Sequence, residues 1–167
     1  EEFARYCKEE KHEEKTASDY GINDLTIEEF KELKESLEGK AEKIYGLTPL
    51  QEGILFHNLE DRNSTGYVVQ NVYNAAIEIK KEELENTLRL LSKRYDVLRT
   101  SFIYEKIREP KQVIYEERIP EYEVIELNEE EAGNIAEEEV RRGFDLTKDT
   151  MMRVKVINIG EGRSKII

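Results

Sequence analysis

Hydrophobic positions are sparse at the start of the chain and become periodic further along. Few large apolar side chains occur before residue 20, and residues 1–40 carry 13 acidic and 7 basic groups. That region reads as a tail and linker, extended or mobile over residues 8–20. Within it Thr26 and Glu29 have capping-box spacing, and Leu25 and Phe30 stand at the two positions of a hydrophobic staple. A helix is predicted to begin near Ile27, with Ile27, Phe30, Leu33 and Leu37 as a narrow apolar stripe and Gly39 placed to end it. A stripe of this kind needs a partner surface.

From residue 41 helical and alternating patterns take turns. Thr48, Pro49 and Gln51 combine a cap, a proline at the first helical position and a capping-box glutamine, which predicts a helix from Pro49 to about Leu59 with Leu50, Ile54 and His57 on one face. After a turn-rich stretch from Asp61 to Gly66, the segment from Tyr67 to Ile79 alternates as one long strand. Leu84, Leu88, Leu91 and Tyr95 then recur at helical spacing, and a strand is predicted from Leu98 to Tyr104. Shorter strands follow at Lys111 to Tyr115 and Tyr122 to Leu127. Asn128 and Glu131 form a further capping box, ahead of a helix that buries Ala132, Ala136 and Val140. Met152, Val154 and Val156, a Gly160-Glu161-Gly162 turn and an apolar run from Arg163 to Ile167 close the sequence. The chain ends inside the last of these strands, as expected of a piece of something longer. Alternation of helices and strands predicts a layered α/β domain.

Composition narrows the function. The 167 residues can hold one domain with a real core and a short appendage. Charged residues make up 38% and the net charge is −12, which argues against a nucleic-acid partner. No apolar run of about 18 residues and no leader is present, so neither a membrane partner nor secretion is expected, and the cytoplasm is the default compartment. Cys7 is the single cysteine, set among Glu9, Glu10, Glu13 and Glu14, surroundings that disfavour a reactive thiolate. With His12 and His57 the only histidines, a metal site or a serine triad has almost no raw material. Gly-rich phosphate loops, HExxH and G-x-S-x-G elbows are missing, and the many glutamate pairs read as solvated helix faces.

Three segments stand out as sequences: Leu47 to His57 (Leu-Thr-Pro-Leu-Gln-Glu-Gly-Ile-Leu-Phe-His), Arg94 to Phe102 (Arg-Tyr-Asp-Val-Leu-Arg-Thr-Ser-Phe), and Gly143-Phe144-Asp145-Leu146 followed by Met152-Arg153. In this order they resemble the early core motifs of condensation domains of nonribosomal peptide synthetases, which join carrier-bound aminoacyl groups into a peptide bond. The resemblance covers about residues 41 to 167. It implies a chloramphenicol-acetyltransferase-like amino-terminal lobe, a mixed sheet with packed helices, truncated before the catalytic His-His-x-x-x-Asp-Gly motif. Residues 1–40 would then be the tail of a preceding epimerization-like domain with its linker helix. In the family's first motif Thr48 and Gln51 match, whereas Gly53 stands where many members have arginine. The Gln-Glu-Gly-x-Leu-Phe-His form resembles the subgroup that follows an epimerization domain and accepts a donor ending in a D-residue, and the Thr16 to Glu29 segment is similar to the tail that closes epimerization domains.

The same resemblance implies partners and roles. Peptidyl carrier domains would deliver substrates on 4'-phosphopantetheine arms, with epimerization and adenylation domains adjacent and no bound cofactor or metal. No catalytic residue lies in the chain, so on its own it is expected to be inactive. Arg99 would pair with the aspartate of the absent motif and support the active-site loop. Without that aspartate it is expected to be solvated or borrowed by a local carboxylate. Thr48 and Gln51 would support the site or act only as helix caps, and His57 would face the channel or sit as a buried or rim histidine. Two alternatives stay open, an inter-polypeptide docking module built on residues 16–38 and the first lobe of an epimerization domain.

Overall fold

The computed structural model describes residues 15–61 and 65–167. Cys7, His12 and the residue 8–14 part of the expected extended tail lie outside the described residues, as do residues 62–64 of the turn-rich stretch.

The first described element is a 3-10 turn at Ala17–Tyr20, where an extended or mobile tail was expected. Its cause is local: the Asp19 carboxylate accepts from the Thr16 backbone N–H at 2.7 Å, and Tyr20 packs against the core with its hydroxyl donating to the Ala41 carbonyl at 3.2 Å. Helix α1 (Ile27–Glu35) starts where its capping box predicts, with Glu29 N–H donating to Thr26 Oγ1 at 3.2 Å and Thr26 N–H donating to Glu29 at 2.9 Å. Phe30 and Leu33 are buried, but Ile27 is 86% exposed. At about 100° per residue Ile27 lies a quarter turn from the midline between Phe30 and Leu33, outside the buried face. The helix closes at Ser36, not Gly39, with the Ser36 hydroxyl donating to the Leu33 carbonyl. Gly39 lies beside the Tyr115 ring, which a Cβ there would meet at ordinary contact distance, 3.4 Å.

Strands β1 (Ala41–Gly46), β3 (Thr100–Ile103) and β4 (Lys111–Tyr115) form an antiparallel sheet in the order β1-β4-β3. Ile22, Phe30 and Leu33 pack with Ala41, Ile44, Ile103, Val113 and Tyr115 in one core. Burial of the size of Phe30 or Leu33 contributes about 1.5–3 kcal/mol each. The partner surface of the α1 stripe is therefore this sheet. Lys111, 1% exposed, reaches back to Asp24 at 2.6 Å, so a buried charge also ties the segment to β4.

The second sheet has the order β2-β7-β6-β5, from β2 (Tyr73–Ala75), β5 (Glu121–Glu126), β6 (Arg153–Gly160) and β7 (Arg163–Ile166). The pair β5 and β6 is parallel and is bridged by helix α4 (Ile135–Arg142), while the other pairings are antiparallel, which makes the sheet mixed. Helix α3 (Lys81–Arg94) packs on β5 and buries Leu88 and Ser92. The long strand expected from Tyr67 to Ile79 is only the three residues of β2, with Tyr67, Val69, Tyr73 and Ile77 exposed. Beyond Ala75 the backbone is satisfied by side chains rather than a ladder: Ser164 Oγ donates to the Ile77 carbonyl, and Asn158 bonds both N–H and C=O of Ile79. The strand expected from Leu98 likewise begins at Thr100, because Asp96–Arg99 close a 3-10 turn in which Thr100 Oγ1 donates to the Asp96 carbonyl at 2.8 Å. Among the described residues no helix is long and apolar enough to cross a membrane.

Candidate functional site

Helix α2 (Pro49–Glu60) carries the first motif. Thr48 N–H donates to Gln51 Oε1 at 2.8 Å and Gln51 N–H donates to Thr48 Oγ1 at 3.3 Å, so both residues cap the helix. The Gln51 amide also meets Gln112 of β4 at 3.3 Å, and Gln112 donates to the Gly46 carbonyl at 3.0 Å. This pairing turns Gln51, Ile54, Leu55 and Asn58 inward, so that of the face expected to be shared by Leu50, Ile54 and His57 only Ile54 is turned in. Leu55 is buried, Leu50 is 74% exposed and His57 is exposed. His57 meets the edge of the Tyr67 ring at 5.4 Å between centroids, a rim position.

The third motif follows α4. Gly143 has φ 62° and ψ −155°, a region that only glycine occupies without strain. Asp145 then folds the loop by accepting from Thr147 N–H at 3.0 Å and from Thr147 Oγ1 at 2.6 Å. These bonds hold its carboxyl below the usual aspartate range. Phe102 of the second motif donates its N–H to the Leu146 carbonyl at 2.8 Å and so joins the first sheet to this loop.

A cleft of about 510 Å³ opens between these pieces. Gln51, Ile54 and His57 of the first motif, Phe102 of the second, and Phe144 and Met152 of the third all line it. Its volume is that of a small-molecule site, and most of its named lining groups are apolar.

Arg99 does not line this cleft. It is 7% exposed and held from four sides: Nε donates to the Ser92 carbonyl at 3.0 Å, Nη1 to the Tyr115 carbonyl at 2.5 Å and to Glu42, and Nη2 to Asp96 at 2.5 Å. Of the two expected fates, it is borrowed by local carboxylates and not solvated. The Arg99 guanidinium pulls the Glu42 carboxyl below its ordinary value, and Lys43, bonded to Asp96 at 2.8 Å, does the same to Asp96.

Sequence reasoning quoted Arg153 only as part of a motif and missed its setting. Its side chain is 8% exposed, and the guanidinium donates to the carbonyls of Gly143 and Glu139, both at 3.0 Å. Nε stands 2.7 Å from Glu139 Oε2, an ionic contact without the angle of a hydrogen bond. Lys155 binds the other oxygen at 2.7 Å. Burial alone would raise the Glu139 carboxyl, but the Lys155 hydrogen bond and the charges of Lys155, Arg153 and Arg142 outweigh it and leave it low. The available signal was strand alternation, which sets Arg153 and Lys155 on one face of β6 opposite Val154 and Val156. No cluster of metal-ligating side chains occurs among the described residues.

Residues 41–166 match the family model of the condensation domain. The chain belongs to the condensation-domain family. It is 30% identical over 174 residues to bacitracin synthase 3 of Bacillus licheniformis, covering 100% of this chain and 3% of that protein. Against gramicidin S synthase 2 of Brevibacillus brevis it is 37% identical over 133 residues, covering 74% of this chain and 3% of that protein. The chain thus spans about 3% of the length of these curated relatives. Among solved structures, the starter condensation domain of rhizomide synthetase superposes with a TM-score of 0.66 at 17% identity, over 74% of this chain and 32% of that one. That match shows the fold, the chloramphenicol-acetyltransferase-like α/β arrangement of condensation domains. Domains of this family form amide bonds inside synthetases, from substrates carried on phosphopantetheine arms. In this condensation-domain chain the three motifs meet around one cleft.

Proposed function

We propose that the chain is the amino-terminal lobe of a condensation domain that couples a D-terminated donor to an L-aminoacyl acceptor, both held as thioesters on peptidyl carrier domains of a cytoplasmic synthetase. The observation that carries this reading is the cleft itself, where residues from Gln51 to Arg153 in the sequence line one space. In the reaction the acceptor amine attacks the donor thioester carbonyl, a C–N bond forms, the C–S bond breaks, and the amine's proton ends on the departing thiolate. The lobe's residues orient and exclude water, while the histidine beside the amine comes from a His-His-x-x-x-Asp-Gly motif that this sequence does not contain. Arg99 supports the site from a distance, through the junction of β1, α3 and β4, and Thr48 and Gln51 support it by holding α2. Residues 1–40 join the lobe to an epimerization domain before it, and an adenylation domain lies elsewhere in the synthetase. Burial of Phe30 and Leu33 in the sheet core favours this linker role over an inter-polypeptide docking helix.

The test is coupling between loaded donor and acceptor carriers, with the complete domain and with the 167-residue chain alone. The complete domain is expected to use a D-terminated donor at least about tenfold better than its L-epimer. The chain alone is expected to give no carrier-bound dipeptide above a no-protein control. Equal use of both epimers would overturn the donor assignment, product from the chain alone would overturn the need for the absent motif, and epimerised but uncoupled donor would favour an epimerization lobe.

A further inference from the structure

Three cavities meet at one partition. Phe144, Met152 and Arg153 line the 510 Å³ cleft, a 250 Å³ cavity that reaches Ile166 and Ile167 at the end of β7, and a 160 Å³ cavity beside Thr150. The Arg153 guanidinium lies 4.6 Å from the Phe144 ring centroid while its two Nη atoms hold the carbonyls of Gly143 and Glu139. Glu139 in turn is fixed by Lys155, and Gly143 takes a backbone shape that lets the chain leave α4 and turn Phe144 toward the cleft. A planar fork can stack and donate in two directions at once, which an ammonium cannot.

We infer that Arg153 is a positioning residue for substrate selection: it sets the Phe144 ring as the wall of a pocket, formed with Phe102, Leu146, Met151 and Met152, that receives an apolar side chain of a carrier-bound aminoacyl group. This rests on the cleft being the substrate site proposed above. Three observations favour that occupant. The volume suits a side chain with part of its arm and is too small for a protein segment, Phe102, Phe144, Leu146, Met151 and Met152 together give the cleft an apolar lining, and Gln51, His57 and the arginines Arg141 and Arg142 on the same cleft offer the polar partners a thioester or amide would need. The two methionines that line the cleft can adapt to side chains of different shape, whereas the clamped ring cannot, so the ring decides the size limit.

The experiment uses the complete domain and carriers loaded with either phenylalanyl or alanyl groups, varied on the donor in one series and on the acceptor in another. In Arg153→Lys and Phe144→Leu, the preference for phenylalanyl over alanyl, read as the ratio of kcat/KM, is expected to fall by about tenfold in one of the two series, chiefly through KM. Arg153→Met, which loses both the fork and the charge, is expected to fall further. Met152→Trp, which fills part of the cleft, is expected to shift preference toward alanyl in that same series. Phe144→Leu keeps every polar contact of Arg153, so it answers the question even where Arg153 variants fold poorly. Unchanged ratios in both series for Phe144→Leu and Met152→Trp would overturn the inference while coupling by the wild type upheld the proposed function. Absence of coupling by the wild type with any substrate would overturn that function first.

Discussion

Arg99 sits where four backbone pieces converge, and its guanidinium touches each of them: the carbonyl of Ser92 at the end of α3, Asp96 in the following turn, Tyr115 on β4 and Glu42 on β1. Removing it leaves the Ser92 and Tyr115 carbonyls without that partner in a buried place. Arg99→Ala is expected to lower unfolding stability by about 3 kcal/mol, in the range of a buried pair broken from one side. Arg99→Lys should recover part of the loss, because lysine keeps a charge near Glu42 and Asp96 but cannot reach four acceptors at once. Urea titration of the chain checks this, and an unchanged midpoint in Arg99→Ala would mean that the network behaves as a solvated surface pair. The importance of this arginine was legible from its motif. Its actual partners were not, since Glu42 lies 57 positions away and no local pattern links them.

Among the elements, α2 separates local from tertiary causes most cleanly. Its cap was readable because Thr48 and Gln51 satisfy each other's backbone groups within four residues. Its buried face was not, because a hydrogen bond to Gln112 chose it. Gly53 stands exposed in the helix interior with nothing within 4 Å of where a Cβ would be. Gly53→Ala is therefore expected to stabilise by about 0.5–1 kcal/mol through helix propensity alone. Thr48→Ala, which removes the cap, is expected to destabilise by about 1 kcal/mol. In a chain of this size those changes move Tm by about 2–4 °C per kcal/mol, up for the first and down for the second, which a thermal melt followed by circular dichroism resolves. A Gly53→Ala variant that melted lower would show that the helix surface there is occupied.

For the whole molecule, charge rather than apolar area distinguishes its behaviour. The net charge of −12 coexists with carboxylates held low by specific partners: Glu29 is brought to about 2, first by its hydrogen bond to Arg108 and then by its bond to the Thr26 N–H, and Asp24, Glu42, Asp96 and Glu139 are lowered as well. A carboxylate whose folded value lies below its unfolded one adds stability above the unfolded value and loses it as pH falls through the folded value. Stability is thus expected to be level from neutrality to about pH 5 and to decline from the ordinary glutamate value of 4.5 down toward 2. Urea midpoints across that range check it, and Glu29→Gln should lessen the decline at its lower end. A midpoint that rose on acidification would show that relief of the net negative charge outweighs the loss of these pairs.

What the sequence determined by itself was whatever depends on neighbours within a few residues. The capping boxes at Thr26 and Thr48 with the helices they start, the strand Lys111–Tyr115 and the turn at Gly160 to Gly162 all follow from short-range bonds and periodicity, whereas the Asn128–Glu131 box forms as read but closes a 3-10 turn at Glu131–Gly133, and the helix expected from it begins only at Ile135. The three motifs were legible in the same way, as local strings. Only the tertiary structure decided which stretches become strands, because a strand exists only where a partner pairs with it: β2 has three residues opposite β7, and the rest of the expected strand from Tyr67 to Ile79 has side-chain partners or none in a ladder. It also decided that the segment before residue 41 belongs to the sheet core, since Leu33 packs among residues of β1, β3 and β4 and the buried Lys111 finds its partner in Asp24. The cleft is of the same kind. Its walls come from residues about a hundred positions apart, and their meeting depends on long-range contacts such as Phe102 with Leu146 and Gln51 with Gln112, which no local period encodes.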